Sequence, residues 1–191
     1  MPILGTIASS KLSAVPNSYE SIQTYVVGST SQSTISFTSI PSTYKHLQLR
    51  SICKTNRNDA GEFQTTINMR LNSDSGGNYN YHRFIGNGSA LSATGGGGGN
   101  TFMYFYFGGS VTSPANTFAA GIWDILDYTD TNKYTTVKYL SGVEDNTNGV
   151  INLGSGAWRN TNAVTSITLT TDSGHNFTQY SQFALYGIKG A

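Results

Sequence analysis

Three histidines, one cysteine and ten acidic residues are the side chains of this 191-residue chain that best suit metal, nucleophilic or acid–base chemistry. The histidines, His46, His82 and His175, lie far apart, and none has a second ligand at the spacing of a zinc site. Cys53 continues the apolar face of a predicted strand, so we interpret it as a small hydrophobic residue rather than a nucleophile. These residues predict neither a metal site nor a catalytic site.

The acidic residues that lie close together in the sequence do so beside turn-forming side chains. Asp124 and Asp127 are an odd number of residues apart, so they point to opposite faces of a strand, which argues against a paired-carboxylate site. Asp127, Asp130 and Asn132 could line a calcium loop, but the EF-hand spacing and its distal Glu are missing. The same holds for Asp74 with Asn72 and Asn78. We predict that these carboxylates cap turns and that the chain uses no cofactor.

Motifs of enzyme active sites are missing from the sequence. The glycine run at 95–99 lacks the Lys and Ser/Thr of a phosphate-binding loop and does not begin a predicted helix. We expect this run to form a mobile surface loop, because five consecutive glycines are costly to order. The sequence contains no G-x-S-x-G and no H-E-x-x-H motif. The chain is therefore predicted not to be an enzyme.

The aromatic segment 101–107 is the most informative single stretch of the sequence. In a strand, Met103 and Phe105 take one face, and a second set of aromatic side chains takes the other. Apolar side chains on both faces indicate a strand that is covered either by its own chain or by another subunit, and both alternatives are open. Trp158 lies between Gly-rich and Asn-rich residues and is expected to be exposed. Stacking of its ring on a sugar is a third alternative. The candidate interface residues are Phe102, Tyr104, Tyr106 and Trp158.

The composition describes a neutral, hydroxyl-rich domain. Charged residues make up 11% of the chain, about half the usual share, and the net charge is +1. A hydrophobic content of 37% with 12% aromatics excludes disorder of the whole chain. Eleven basic against ten acidic residues lack the basic excess of a nucleic-acid binder. No apolar run approaches the roughly 18–20 residues of a membrane helix, and a single cysteine excludes an internal disulfide.

Alternation of apolar and polar residues is the repeated pattern, and helical periodicity is nearly absent. About nine or ten strands with little helix favour an all-β fold, a single antiparallel β-sandwich domain of jelly-roll type over 19–191. Residues 1–18 are predicted to form an N-terminal arm or an irregular edge. The predicted strands lie at 20–27, 33–38, 45–53, 63–71, 79–85, 101–107, 118–127, 134–141, 164–170 and 182–188.

Strand and turn signatures are spread over most of the chain from residue 19 onward. They lie at 39–41, 44–50, 70–79, 125–128, 132–134, 162–167 and 183–190, with Trp158. Together these segments resemble small structural proteins of tailed bacteriophages, including cyanophages, and the match is poorest in 88–117. The resemblance implies a non-enzymatic virion component on the head surface or at the tail, often trimeric. None of the segments is a catalytic motif, so no functional residue is implied.

Two functions follow from this resemblance. The preferred one is a capsid decoration (cement) protein, which binds the major capsid protein and copies of itself as a homotrimer on the outer surface of the phage head. Residues 1–18 could then reach a neighbouring subunit. The alternative is a tail-fibre or baseplate-associated protein that binds a receptor or glycan of the host surface. Neither function calls for contact with nucleic acid or a membrane.

Overall fold

The computed structural model describes residues 18–59, 64–108, 110, 113–146, 148–172 and 174–190. Within these ranges the chain forms twelve strands and no helix, so the predicted all-β class is confirmed. The predicted arm at 1–18 lies outside the described residues, except for Ser18. The strands are β1 (Tyr19–Val26), β2 (Thr34–Phe37), β3 (His46–Cys53), β4 (Gln64–Leu71), β5 (Tyr79–Gly86), β6 (Leu91–Asn100), β7 (Met103–Gly108), β8 (Ala119–Leu126), β9 (Thr135–Glu144), β10 (Gly149–Trp158), β11 (Ile167–Thr171) and β12 (Gln182–Ile188).

The strands form two antiparallel sheets. Eight strands make the large sheet, in the order β1-β12-β3-β8-β9-β10-β5-β6, and four make the small sheet, in the order β2-β11-β4-β7. Strand β7 lies against β8, β9 and β10, so the small sheet covers one face of the large sheet. We call this covered face the inner face of the large sheet and the opposite one its outer face. The predicted antiparallel sandwich is thus confirmed.

Alternation along each strand places one set of side chains in the core between the sheets. In β9, Val137 and Tyr139 are buried, whereas their neighbour Lys138 is exposed. In β7, Met103 and Phe105 lie on one face, as the alternation predicts, and both are fully buried. The ring of Phe105 meets the ring of Tyr139 edge-on, with 4.6 Å between centroids. This geometry is favourable for aromatic pairs and joins the two sheets at the centre of the core.

Two strands were not predicted from the sequence, and both are rich in glycine. The run at 95–99 belongs to β6, so the expectation of a loop there is wrong. Gly95 pairs with His82 of β5, and a Cβ atom at Gly95 would lie only 2.3 Å from the His82 ring. Glycine therefore allows β6 to pass close to the side chains of β5. In β10, three glycines weaken the β signal, and pairing with β5 and β9 nevertheless holds the strand.

Candidate functional site

Two rows of side chains cross the outer face of the large sheet from β8 to β6. Residues of adjacent strands in each row are direct partners in the strand register. The first row we call the apolar ridge, because it carries four large side chains: Ile122, Leu140, Leu153 and Phe84. The second row, one pleat further along the strands, we call the shallow row: Ala120, Gly142, Ile151, Gly86 and Leu91.

The outer face exposes far more apolar surface than scattered single residues would. Among its large side chains, the exposed fraction ranges from 39% for Ile122 to 74% for Leu91. At roughly 200 Å² for a fully exposed large side chain, the seven together expose on the order of 700 Å². Contiguous apolar patches of this size are typical of interaction sites. The seven residues are Ile52, Phe84, Leu91, Ile122, Leu140, Ile151 and Leu153.

A groove runs along each side of the apolar ridge. One groove, of about 540 Å³, lies over Ala120 and Gly142 of the shallow row. The other, of about 600 Å³, lies between Phe84 and Leu153 of the ridge and the polar residue Lys138. The outer face therefore combines a raised apolar ridge with recesses on both sides, a shape that can interlock with a partner surface.

Charged residues of β9 border the apolar area on both sides. Lys138 precedes the ridge residue Leu140 by two positions, and Glu144 follows Gly142 by two positions. Both side chains are exposed on the outer face. Neither forms an ion pair with another residue in the part of the chain that the structure describes. Asp124 of β8 is the register partner of Lys138 and borders the apolar area at the same end. The surface thus carries charges of both signs beside its apolar centre.

Toward β3, the outer face becomes polar, and its side chains bond to one another. Gln48 donates a hydrogen bond from Nε2 to Asp124 Oδ1 at 2.8 Å and accepts one at Oε1 from Arg50 Nε at 2.7 Å. The Arg50 guanidinium also lies over the ring of Tyr186, 5.5 Å from its centroid. These polar groups bond to one another within the chain, so the apolar half is the part of the face that gains most from a partner.

The predicted interface residues on and just before β7 are half-buried and pack against their own chain. The rings of Phe102 and Tyr104 are 4.4 Å apart, and Tyr81 of β5 lies 5.1 Å from Tyr104. The guanidinium of Arg83 stacks on Tyr106 at 3.7 Å from the ring centroid. Much of this aromatic surface is therefore covered within the chain, and a partner contact at these three residues stays a prediction.

The expectation that Trp158 is exposed is wrong. The exposed fraction of Trp158 is 1%, because the pairing of β10 with β5 and β9 turns its ring to the inner face. Its Nε1 donates a hydrogen bond to Asp74 Oδ2 at 2.7 Å. Asn78 Nδ2 and the Gly76 backbone N–H donate to the same carboxylate. Trp158 therefore anchors the turn between β4 and β5 and does not form part of an outer surface.

The prediction that the carboxylates cap turns is confirmed for Asp74. Burial favours its neutral form, but the donors Trp158, Asn78 and Gly76 outweigh burial and hold the pKa of Asp74 below its ordinary value. Asp127, in the turn after β8, instead pairs with two lysines. Contacts with Lys133 and Lys45 lower its pKa to about 2.

The three histidines lie at different places on the molecule. His46 accepts a hydrogen bond at Nδ1 from the Asp127 backbone N–H, His82 lies on the outer face of β5, and His175 Nε2 is 3.7 Å from Asp59. Among the described residues, no group of three or more His, Cys, Asp or Glu side chains could hold a metal ion. Cys53 is fully buried, and burial raises the pKa of its thiol, which confirms its interpretation as a core residue.

A buried lysine, which the sequence did not single out, also has a structural role. Lys54 is buried, and its Nζ donates to the carbonyl oxygens of Ser113, Pro114 and Ala115. Burial lowers the pKa of this amine. Because all three donors of the ammonium have carbonyl acceptors, the geometry is that of a clamp on the loop before β8 rather than of a nucleophile.

The apolar ridge was missed by sequence reasoning, although a signal for it was present. Ile122 stands next to Trp123, and Leu140 stands next to Tyr139, so large apolar residues occupy both faces of β8 and β9. The same signal was recognised in the aromatic segment of β7. The continuation of the apolar ridge across β10 and β5 could not be recognised, because β10 was not predicted and the strand register is not encoded locally.

No protein-family model, curated protein or solved structure matches the chain. The described residues form no helix long and apolar enough to cross a membrane. Functional inference for this chain therefore rests on its own residues and on the surface they build.

Proposed function

We propose that the chain is a non-enzymatic structural protein of a phage virion, and more specifically a capsid decoration (cement) protein on the outer surface of the head. Its partners would be the major capsid protein and copies of itself, in a homotrimer if the resemblance extends to assembly. The observation that carries the proposal is the apolar outer face of the large sheet. Its exposed area, on the order of 700 Å², is close to one partner's share of a standard protein–protein interface.

The strand order supports a jelly-roll architecture for this proposal. If β5, β6, β9 and β10 are set aside, eight strands remain, in sheet orders β1-β12-β3-β8 and β2-β11-β4-β7. Four strands in each of two facing sheets, with long connections between the sheets, are what two Greek keys in a jelly roll produce. The strands set aside form two hairpins, β5–β6 and β9–β10, that widen the large sheet. This topology supports the architecture and carries no function by itself.

The two hairpins supply most of the surface that we assign to binding. Leu140 and Leu153 lie on β9 and β10, and Phe84 lies on β5. A role in binding explains why strands outside the eight-stranded framework expose large apolar side chains. Because the net charge is only +1, binding would depend on apolar contact more than on long-range attraction. A protein that binds only the assembled lattice stabilises it by mass action.

Copy number per particle tests the proposal directly. Virions of the phage that encodes the chain would be purified and analysed by quantitative mass spectrometry, with the major capsid protein as internal reference. We expect on the order of hundreds of copies, because icosahedral symmetry multiplies every lattice site. A count of about three to a few tens would place the chain on the tail instead. Absence from purified particles would overturn the proposal.

A tail-associated, glycan-binding protein is the second candidate, and one observation favours it. The groove of about 600 Å³ has the size of a small-ligand site and combines the ring of Phe84 with the polar side chains of Lys138 and Ser155. An aromatic face beside polar groups suits a sugar. Binding of host lipopolysaccharide by the isolated chain, measured by calorimetry and abolished in Phe84→Ala, would support this candidate. Equal binding by the parent chain and by Phe84→Ala would exclude this groove as the site.

A further inference from the structure

We propose that two copies of the chain associate face to face through the outer faces of their large sheets. The two-fold axis would lie in the plane between the two sheets. It would be perpendicular to the strands, midway between the apolar ridge and the shallow row. The occupant of the apolar face is thus a second copy of this chain. The inference goes beyond the virion role, since such a pair would form in solution, and it differs from the trimer that the resemblance implies. A capsid partner that binds the same outer face would displace the second copy.

Shape complementarity between the two rows is the first argument. A two-fold axis in this position reverses the direction of every strand but keeps their order, so each strand meets its own copy. The ridge of one copy then lies on the shallow row of the other. Three of the four ridge residues would then face a small residue of the partner subunit: Leu140 faces Gly142, Phe84 faces Gly86 and Ile122 faces Ala120. The fourth, Leu153, would face the large residue Ile151 of the partner subunit. Large residues facing small ones allow two layers to interdigitate.

Nothing within its own chain requires a glycine at position 86. A Cβ atom there would meet only the Cγ2 atom of Ile151, at 3.5 Å, which is an ordinary contact. Its φ angle also lies outside the left-handed region that favours glycine. Glycine inside a strand weakens the strand and often marks the close approach of a ligand or another backbone. A second copy that places Phe84 over this position supplies a reason for the glycine.

Charge complementarity is the second argument. Lys138 and Glu144 are placed symmetrically about the proposed axis, each two residues beyond the apolar pair Leu140 and Gly142. Within one chain they are six residues apart along β9, roughly 20 Å, so they cannot pair with each other. Across the axis, Lys138 would face the partner's Glu144, and symmetry produces the contact twice. The arrangement is self-complementary, as a two-fold interface requires.

The exposed apolar area is the third argument. The seven large side chains expose on the order of 700 Å² per copy, against about 800 Å² per partner in a standard interface. Homodimer interfaces are also more apolar at their centre than the general protein surface. Two stacked sheets can bury such an area, since facing sheets pack about 10 Å apart with interdigitating side chains.

Sedimentation equilibrium of the purified chain tests the pairing. We expect a mass of twice the 20.5-kDa chain at micromolar concentration. Leu140→Glu would place a charge in the apolar centre and raise the dissociation constant by at least about 100-fold. The matched control is Thr34→Glu, which adds the same charge to an exposed position on the outer face of the small sheet. Circular dichroism verifies folding, and Leu153→Glu serves if Leu140→Glu does not fold.

A charge exchange tests the position of the axis. Lys138→Glu and Glu144→Lys should each weaken association by about tenfold, because each brings like charges together. The variant that combines both substitutions should restore the parent dissociation constant. If either substitution weakened association only by disturbing its own surroundings, combining the two substitutions would not restore the dissociation constant. Gly86→Val should weaken association by a similar or larger factor while the chain stays folded.

Three results would overturn the inference. They are a monomer at 100 µM protein or more, a trimer whose mass is unaffected by Leu140→Glu, and a dimer that the charge exchange fails to restore. These results are distinguishable from failure of the virion proposal. A chain present in hundreds of copies per particle but monomeric in solution would refute the pairing alone. A dimer that is absent from particles would refute the virion role alone.

Discussion

The two faces of the large sheet carry large apolar side chains at neighbouring positions, but they have different surroundings. Ile125 of β8 points to the inner face and is fully buried under the small sheet. Ile122, three residues earlier on the same strand, points to the outer face and is 39% exposed. The same contrast separates Tyr139 from Leu140 on β9. Residue type alone therefore does not tell which face of a strand belongs to the core.

The difference shows how one sheet can serve two purposes. The inner face stabilises the fold, because burying apolar surface lowers the free energy by roughly 25 cal/mol for each Å² removed from water. The outer face cannot contribute in this way until a partner covers it. An apolar residue on the inner face is therefore expected to matter for folding, and one on the outer face for association.

Phe105→Ala should have the largest effect on folding. Phe105 is fully buried and lies edge-on to Trp123 and Tyr139, so its removal leaves a cavity between the sheets. We expect the free energy of unfolding to fall by about 3–5 kcal/mol, measured by urea denaturation. The control is Phe84→Ala on the outer face, measured at a concentration where the chain is monomeric. A similar loss in both variants would refute the division between the two faces.

Trp158→Phe should have the next largest effect on stability, because it removes the hydrogen bond that the buried indole N–H donates to the Asp74 carboxylate. We expect a loss of about 2 kcal/mol at neutral pH. The pKa of Asp74, now held below 3.8, should rise toward that value. The parent chain should therefore lose the contribution of Asp74 as pH falls below about 4, through the lowered pKa. In an Asp74→Asn background, Trp158→Phe should cost less, and equal losses in both backgrounds would contradict the role of the bond.

Asp127→Asn should have a smaller effect that depends on pH. The pKa of Asp127 is lowered from 3.8 to about 2 by Lys133 and Lys45. Its contribution to stability is thus present above pH 4 and is lost as the pH falls from about 4 to about 2. Asparagine tolerates the φ of 49° at this position, so the turn should persist. Thermal unfolding between pH 2 and 6 should show a shallower acid loss for the variant, and an unchanged slope would contradict the prediction.

Leu153→Ser should have the smallest effect on the isolated chain. Leu153 is 55% exposed on the outer face, so we expect the unfolding free energy of the monomer to change by less than about 0.5 kcal/mol. The same substitution should weaken association of two copies. Urea denaturation at low protein concentration, beside sedimentation at high concentration, separates the two quantities. A large loss in the monomer would mean that the outer face contributes to the core.

Much of the fold could be predicted from local patterns. Ten of the twelve strands that the structure describes were located, and Met103 and Phe105 were placed together on one face of their strand, the face that is buried. Two-residue alternation is a local property, because each side chain points opposite to its neighbour in a strand. The alternation can therefore be recognised in the sequence without knowing which strands pair with each other.

The candidate site was predicted less well. Trp158 was assigned to the surface because the glycines around it resemble a loop, yet pairing with β5 and β9 makes that segment a strand. The apolar ridge depends on the register of four strands, of which β5 is distant in the sequence from β8, β9 and β10. A shift by one residue in any pairing would move that strand's side chains to the other face. No local pattern contains this information.

The amino-acid sequence by itself determined the all-β class, the near-neutral charge and the alternation that divides each strand into two faces. Only the tertiary structure decided which face is covered, because that depends on where the small sheet packs. It also decided that Asp74 receives the indole N–H of a residue 84 positions away. Local backbone geometry is encoded residue by residue, whereas burial and register arise from contacts between distant segments.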